Sequence, residues 1–316
     1  KVSTAGVLTV LHNFACTTEG RGLIGPLVQG TDGNFYGYST GGATNQQEIY
    51  KITASGAFTM LHSMTAAEGN ASRNGLIQAT DGNLYGTAVG GGTFNKGTIF
   101  KITTGGALTV LFNCDGSNNF GVNPTSNLTQ HTNGLLYGDT LGGGDNNAGV
   151  FYSLDVGLGP FVSLVSTSGK EGAKIGIRGQ GFSASSVVKF GGVQATSVTR
   201  QGSTFLNATV PAGALTGSVT VTTGATTLTS NRTFRVTPTL ASFSPTSGSV
   251  GTPVMITGTG LLQTTKVTFN KVKATTVTIN SDTQVTANVP TGATTGKIAI
   301  TTAGGTATSR TVFTVN

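Results

Sequence analysis

TDGNLYGTAVGGGTFNKGTIFKIT (80–103) reads as two short strands, NLYGTA and GTIFKI, held between glycine turns. Apolar and polar residues alternate in both, and Asp-Gly and Gly-Gly pairs punctuate them, which is the pattern of antiparallel hairpins. Working outward, GLIQAT (75–80) precedes the first strand, and GAFTML (56–61) or its successor GALTVL (106–111) supplies a fourth. The same order recurs twice more. TDGNFYG (31–37), TDGNLYG (80–86) and TNGLLYG (132–138) are followed by TGG, GGG and GGG, then by EIYKIT, TIFKIT and GVFYSLD. GVLTVLHNF (6–14), GAFTMLHSM (56–64) and GALTVLFNC (106–114) lie 50 residues apart. A four-strand repeat of about 50 residues is the length class of a propeller blade. Three units are therefore expected in residues 1–159, at about 6–55, 56–105 and 106–159.

Residues 160–316 carry a different repeat. TSGKEGAKIGIRGQGF (167–182) matches TSGSVGTPVMITGTGL (246–261), VVKF (187–190) matches KVTF (266–269), and ATVP (208–211) matches ANVP (287–290). TGSVTV (216–221) matches TGKIAI (295–300), and TFRV (233–236) matches VFTV (312–315), every pair at the same offset of 79. Some seven alternating strands in each copy predict two immunoglobulin-like β-sandwiches, 160–236 and 237–316. Val267, Phe269, Val277, Ile279, Val285, Val289, Ile298 and Ile300 are the expected inward residues of the second. A linker of little more than Thr237–Pro238 predicts a stiff tandem.

SPTSGSVGTPVMITGTG closely resembles the opening of an IPT/TIG domain, and the resemblance extends along both copies. TDGNLYGTAVGGG…GTIFKIT resembles the GloVer (Gloeobacter/Verrucomicrobia-type) repeats of large secreted bacterial proteins, with TNGLLYG as the departing copy. The resemblance implies an extracellular or cell-surface bacterial protein and brings no catalytic residues with it. The expected class is all-β: three propeller-blade-like four-strand repeats followed by two tandem IPT/TIG sandwiches.

Composition narrows the field further. Charged residues are 9% of the 316, glycines number 49 and tryptophan is absent. Threonine, valine and glycine in place of glutamate and lysine exclude a mostly helical chain. The longest apolar runs are too short to insert in a membrane. The chain opens at Lys1 with a short polar KVSTAG, read as a mature chain or one whose leader is removed. Net charge is +7 overall. Residues 1–159 hold 6 Lys+Arg against 9 Asp+Glu, a net of −3, and residues 160–316 hold 12 against 2, a net of +10. The basic residues of the second half are dispersed and not interleaved with aromatics, which argues against nucleic acid and leaves an anionic polysaccharide or acidic protein as the better fit.

Motifs that carry chemistry dissolve when the repeats are compared. Gly37-Tyr38-Ser39-Thr40-Gly41 fits the nucleophile elbow, yet the sister copies place Ala88 and Thr140 at Ser39, and a strand rather than a helix follows. Gly20-Arg21-Gly22-Leu23-Ile24-Gly25 fits a dinucleotide fingerprint with no helix after it. His12 and His62 share a repeat position that the third copy fills with Phe112. Asp32, Asp81 and Asn133 are explained by turn capping. Tyr36, Tyr85 and Tyr137 read as a buried repeat position, or else as a ring of glycan contacts. Asp115 and Asp145 lack a calcium-loop pattern. No catalytic, cofactor or metal residues are assigned, and the chain is read as not an enzyme.

Two structural expectations complete the reading. Cys16 and Cys114 follow the same repeat strand and are a candidate disulfide, with two unpaired thiols as the alternative. Val7, Leu8, Thr9, Val10, Leu11 and His12 have the pattern of a last strand with no preceding strands of its own. This segment is expected to pair with the third unit and close a ring, or with the open sheet edge of a neighbouring molecule. The expected function is a non-catalytic extracellular structural protein that assembles head to tail into a fibre or matrix. The alternative is a glycan-binding or adhesive region of a larger secreted protein.

Overall fold

The computed structural model describes residues 2, 5–20, 22–41, 46–70, 74–116 and 120–316. They form strands, turns and no helix. Two compact units result, Lys1–Gly159 and Pro160–Asn316.

The first unit is a series of three antiparallel sheets. Ile24–Gln29 (β1), Phe35–Thr40 (β2), Gln47–Ile52 (β3) and Phe58–Ser63 (β4) pair in sequence order. Ile77–Gln78 (β5), Leu84–Ala88 (β6), Thr98–Ile102 (β7) and Leu108–Asn113 (β8) repeat that order. In the third sheet Val122–Pro124 (β9) and Thr129–Gln130 (β10) both pair with Leu136–Gly142 (β11), which pairs with Phe151–Leu154 (β12). The fourth strand of each complete sheet is thus the GAFTML or GALTVL segment that follows it, and the third sheet has no such strand among the described residues. Tight turns with positive φ at Gly33, Gly82 and Gly134 lead into β2, β6 and β11.

The segment Val7–His12 is not a strand of any sheet. Its one described bridge joins Leu8 to Val2, and Val7, Leu8 and Val10 are exposed. It does not return to the third sheet, so the ring closed within one chain is not formed among the described residues. The segment stands instead where a fourth strand of a preceding sheet would stand. A Cβ on Gly56 would meet the Leu11 carbonyl, as a Cβ on Gly106 would meet the Leu61 carbonyl of β4.

The second unit holds two sandwiches whose strands recur at the 79-residue offset. Val187–Phe190 and Phe205–Thr209 in the first correspond to strands containing Val267–Phe269 and Val285–Ala287 in the second. Their cores are equivalent position by position: Ile175, Val188, Phe190, Leu206 and Phe234 in one, Val254, Val267, Phe269, Val285 and Phe313 in the other, all buried. Ile279 departs from the expected inward set. It is exposed, because Val277–Ser281 is an edge strand with a bulge after Ile279, and only Val277 reaches the core. In each sandwich an early and a terminal strand pair in parallel, Ser168–Gly169 with Arg235–Val236 and Ser247–Gly248 with Thr314–Val315.

The junction between the sandwiches is built from side chains. Asp282 accepts from the Gly213 N–H at 3.0 Å and from the Gly260 N–H at 3.3 Å. Gln263 accepts from the Thr216 N–H at 2.8 Å and donates to the Thr216 carbonyl at 3.3 Å.

Candidate functional site

The D-G-N-x-Y-G core is a local hydrogen-bonded lock. Asp32 accepts from the Asn34 N–H at 3.1 Å and from the Tyr36 hydroxyl at 2.6 Å. Asp81 repeats this with Asn83 at 3.1 Å and Tyr85 at 2.8 Å. Asn133 keeps the turn by accepting from Leu135 N–H at 3.0 Å and donates to the Tyr137 hydroxyl at 2.9 Å. Burial pushes the Asp32 carboxyl up, and the bonds from Tyr36 and Asn34 outweigh it, so the group sits below its ordinary value. Burial first, then the Asp32 partner, pushes the Tyr36 hydroxyl up to about 12.

The locked tyrosines face the next sheet. Tyr36, Tyr38 and Ile49 of the first sheet pack on Leu84, Phe100 and Ile102 of the second. Tyr85 and Ile99 of the second pack on Leu128, Leu136 and Tyr152 of the third. A polar clasp repeats beside this apolar joint. Gln78 accepts from the Thr31 N–H at 2.8 Å, and Gln130 accepts from the Thr80 N–H at 3.0 Å. Each sheet therefore has one face shaped for its predecessor and one for its successor.

At the two ends of the series these faces are open. Phe151 occupies the repeat position of Ile49 and Ile99; both isoleucines are 0% exposed, whereas Phe151 is 75% exposed. Phe151, Tyr137 and His131 line a cavity of about 560 Å³ together with Ser126, Asn127 and Asp139. Tyr137 stacks on Phe151 at 5.8 Å between ring centroids, and His131 meets Tyr137 edge-on at 5.6 Å. At the other end Leu27 is 56% exposed where its repeat partner Leu76 is 4% exposed. Leu27, Phe35, Ile52 and Leu11 line an apolar cavity of about 440 Å³.

The remaining residues singled out in the sequence have structural surroundings. His12 bonds Glu19 at 2.8 Å and His62 bonds Glu68 at 3.0 Å, and each carboxylate also caps a backbone N–H, of Ala15 and Thr65 respectively. In the third copy Phe112 stacks on Phe120 at 3.7 Å, replacing the polar latch by an aromatic one. Ser39 is fully buried and donates to the Glu19 carbonyl at 2.8 Å. Arg21 of the glycine-rich fingerprint, Gly42 of the first glycine turn and Lys1 lie outside the described residues. Cys16 is an exposed free thiol and Cys114 a buried one. Burial first, then Asp115, pushes the Cys114 thiol up to about 11. Among the described residues no group of three His, Cys, Asp or Glu is gathered as for a metal ion, and no helix is long and apolar enough to cross a membrane.

The inter-sheet clasp escaped the sequence reading, although its signal is present: Gln29, Gln78 and Gln130 stand at one repeat position, two residues before Thr31, Thr80 and Thr132. The junction residues Asp282 and Gln263 left a different trace. They stand opposite Ser203 and Ala184 at the 79-residue offset, so the copies differ where they touch.

Turn-locked sheets in series, followed by paired immunoglobulin-like sandwiches, define an all-β repeat protein. The chain belongs to the Gloeobacter/Verrucomicrobia repeat family, whose model matches residues 1–209, and residues 238–315 match the IPT/TIG domain. No curated protein matches the sequence. Among solved structures, a surface glycan-binding protein of Prevotella bryantii is 18% identical over 48% of this chain and 41% of that one, with a TM-score of 0.34. A surface protein from a xyloglucan utilisation locus of Bacteroides uniformis is 23% identical over 48% of each chain, with a TM-score of 0.24. One from a mixed-linkage glucan locus of Bacteroides ovatus is 14% identical over 70% of this chain and 52% of that one, with a TM-score of 0.24. The chain thus spans about half the length of these proteins.

Proposed function

We propose that the chain is a non-catalytic extracellular module of a bacterial surface, and that its first unit works by docking sheet on sheet so that molecules associate head to tail. One observation carries this reading: the position buried as Ile49 and Ile99 inside the series is the exposed Phe151 at its end. An exposed aromatic at a joint position, beside an open strand edge, is a surface prepared for a partner. The non-catalytic part is supported by Ser39, whose hydroxyl serves the Glu19 carbonyl, and by His12 and His62, whose rings serve carboxylates. Sedimentation velocity tests the docking. The wild-type chain should associate as its concentration rises, and Phe151→Asp should sediment as a monomer. A wild-type chain that stays monomeric at every concentration removes the reading.

A second reading is favoured by the cavity at Phe151 itself. Three rings beside Asn127 and Asp139 offer stacking and hydrogen bonding to a sugar. Lys266, Lys273 and Lys297, exposed on strands of one sheet of the second sandwich, add an attraction for anionic polysaccharide. Calorimetric titration with a neutral β-glucan oligosaccharide and with a uronic-acid oligosaccharide separates the readings. Saturable heat abolished by Tyr137→Ala in a monomeric chain would favour the glycan.

A further inference from the structure

We propose that the second sandwich binds a linear anionic polysaccharide on the outer face of one of its two sheets, through Lys266, Lys271, Lys273 and Lys297. The inference rests on the anionic part of the glycan reading above and gives it a site apart from the cavity at Phe151.

Charge in this sandwich is sorted by sheet. Residues 238–316 contain five basic residues, the four lysines and Arg310, and one acidic residue, Asp282. All five basic residues lie in one sheet or in the turn between two of its strands. That sheet pairs Ser247–Gly248, Gly305–Val315, Gly296–Thr302, Thr264–Phe269 and Val272–Lys273 in that order. The strands of the facing sheet hold no charged residue. Asp282 stands in a turn of that facing sheet, engaged by the Gly213 and Gly260 N–H groups. The five basic residues are exposed, and no ion pair among the described residues involves them.

The register puts the lysines on a common surface. Val267, Phe269, Ile298 and Ile300 are buried, so Lys266 and Lys297, out of phase with them, point outward. Lys273 pairs with Thr268 and shares its side. Between the lysines, Thr268 pairs with Ala299 and Ala299 with Thr308, while Lys266 pairs with Thr301 and Thr301 with Thr306. The result is a flat floor of small side chains and hydroxyls framed by ammonium groups.

This charge is specific to the second sandwich. At the 79-residue offset the first has Val187, Gly192, Gln194 and Ser218 in place of the four lysines. The turn is the most telling position. Asn270 and Lys271 join two paired strands with φ of +42° and +74°, and the first sandwich turns there on Gly191 and Gly192 at +55° and +91°. A two-residue turn of this kind suits glycine and asparagine, and a lysine held at positive φ is strained. A residue strained where its counterpart is relaxed points to a use outside the fold.

The surface selects the partner's chemistry. Phe243, Phe269 and Phe313 are the aromatics of this sandwich and all are buried, so bases would find no ring to stack on. Protein interfaces centre on aromatic and arginine anchors and are poor in lysine. A polysaccharide bearing carboxylates needs point charges for its acid groups and hydroxyl partners for its sugars, which lysine and threonine supply.

The test is calorimetric titration of the full chain with polygalacturonate between about 50 and 200 mM salt. The wild type should bind, with an affinity that falls as salt rises. Lys266→Gln, Lys273→Gln and Lys297→Gln combined should weaken binding at least about tenfold and flatten the slope of log affinity against log salt by roughly two to three. Lys271→Gly separates charge from fold: it should raise the melting temperature and still weaken binding. A stabilised Lys271→Gly chain that binds like wild type overturns the role of the turn. Lys170→Gln, Lys174→Gln and Lys189→Gln combined remove the same charge from the first sandwich and should leave binding unchanged; an equal loss there overturns the site, because binding would follow net charge alone. Duplex DNA bound as tightly as polygalacturonate, and lost in the same lysine variant, overturns the choice of polysaccharide. Binding lost in Tyr137→Ala but kept in the lysine variant overturns this site and leaves the glycan reading standing. A wild type that binds no polygalacturonate overturns the inference and the anionic part of that reading together.

Discussion

Glu68 shows how one side chain fastens a turn. Burial pushes its carboxyl up, but bonds from the Thr65 N–H, from His62 and from the Thr65 hydroxyl bring it below its ordinary value of 4.5. A carboxyl lowered in the folded state stabilises above its unfolded pKa, and that stability is lost as pH falls through the folded value. Glu68→Gln should therefore melt a few degrees below wild type at pH 7, with the gap closing as pH falls below the ordinary carboxyl value of 4.5; melting curves across acid pH check it. At Gly106, φ is +99° and a Cβ would clash with the Leu61 carbonyl oxygen. Gly106→Ala should cost about 2–3 kcal/mol, and Gly82→Ala, with a φ of +82° but open space around it, about 1 kcal/mol. Urea denaturation of the two variants reads the difference. The cysteines should separate by rate: Cys16 is modified in the native chain, and Cys114 only on unfolding, since it is buried and its thiol is held protonated. Two thiols equally fast in the native chain would contradict this placement.

At the scale of elements, alternation and turn chemistry made the strands legible. Asp-Gly-Asn and the glycine runs mark their ends, and β2, β6 and β11 each contain or begin beside the repeated tyrosine. Asp81→Ala removes the acceptor of a buried hydroxyl as well as the turn cap. It should lower stability by about 1–3 kcal/mol, the range for a buried donor left unmade. Tyr85→Phe should recover part of that loss when added to Asp81→Ala, and a double-mutant cycle by chemical denaturation measures the coupling. What alternation could not tell was which strand is an edge. Ile279 has the inward parity of its neighbours, yet it is exposed because its strand has a partner on one side only and bulges after it. Val7–His12 likewise has a strand's pattern and is not a strand of any sheet, since sheet membership depends on neighbours that a local pattern does not specify.

For the whole molecule, repeats revealed two kinds of unit because offsets of 50 and 79 residues survive substitution at most positions. The contacts between repeats were harder to see, since they lie either in a recurring polar residue, as with Gln78 and Gln130, or where copies disagree, as with Asp282. Asp282→Ala removes the acceptor shared by Gly213 and Gly260. The tandem sandwiches should then melt in two resolved calorimetric transitions where the wild type shows one, with each core intact. The parallel pairing of early and terminal strands has a mechanical meaning as well. A pull on the two ends of either sandwich runs along Ser168–Gly169 against Arg235–Val236, or Ser247–Gly248 against Thr314–Val315. The load is shared across these bonds in shear, so they yield together rather than peel one by one. Resistance to such a pull is a matter of unfolding rate, not of equilibrium stability. A sandwich of modest melting temperature can thus still hold its two ends together under a steady pull.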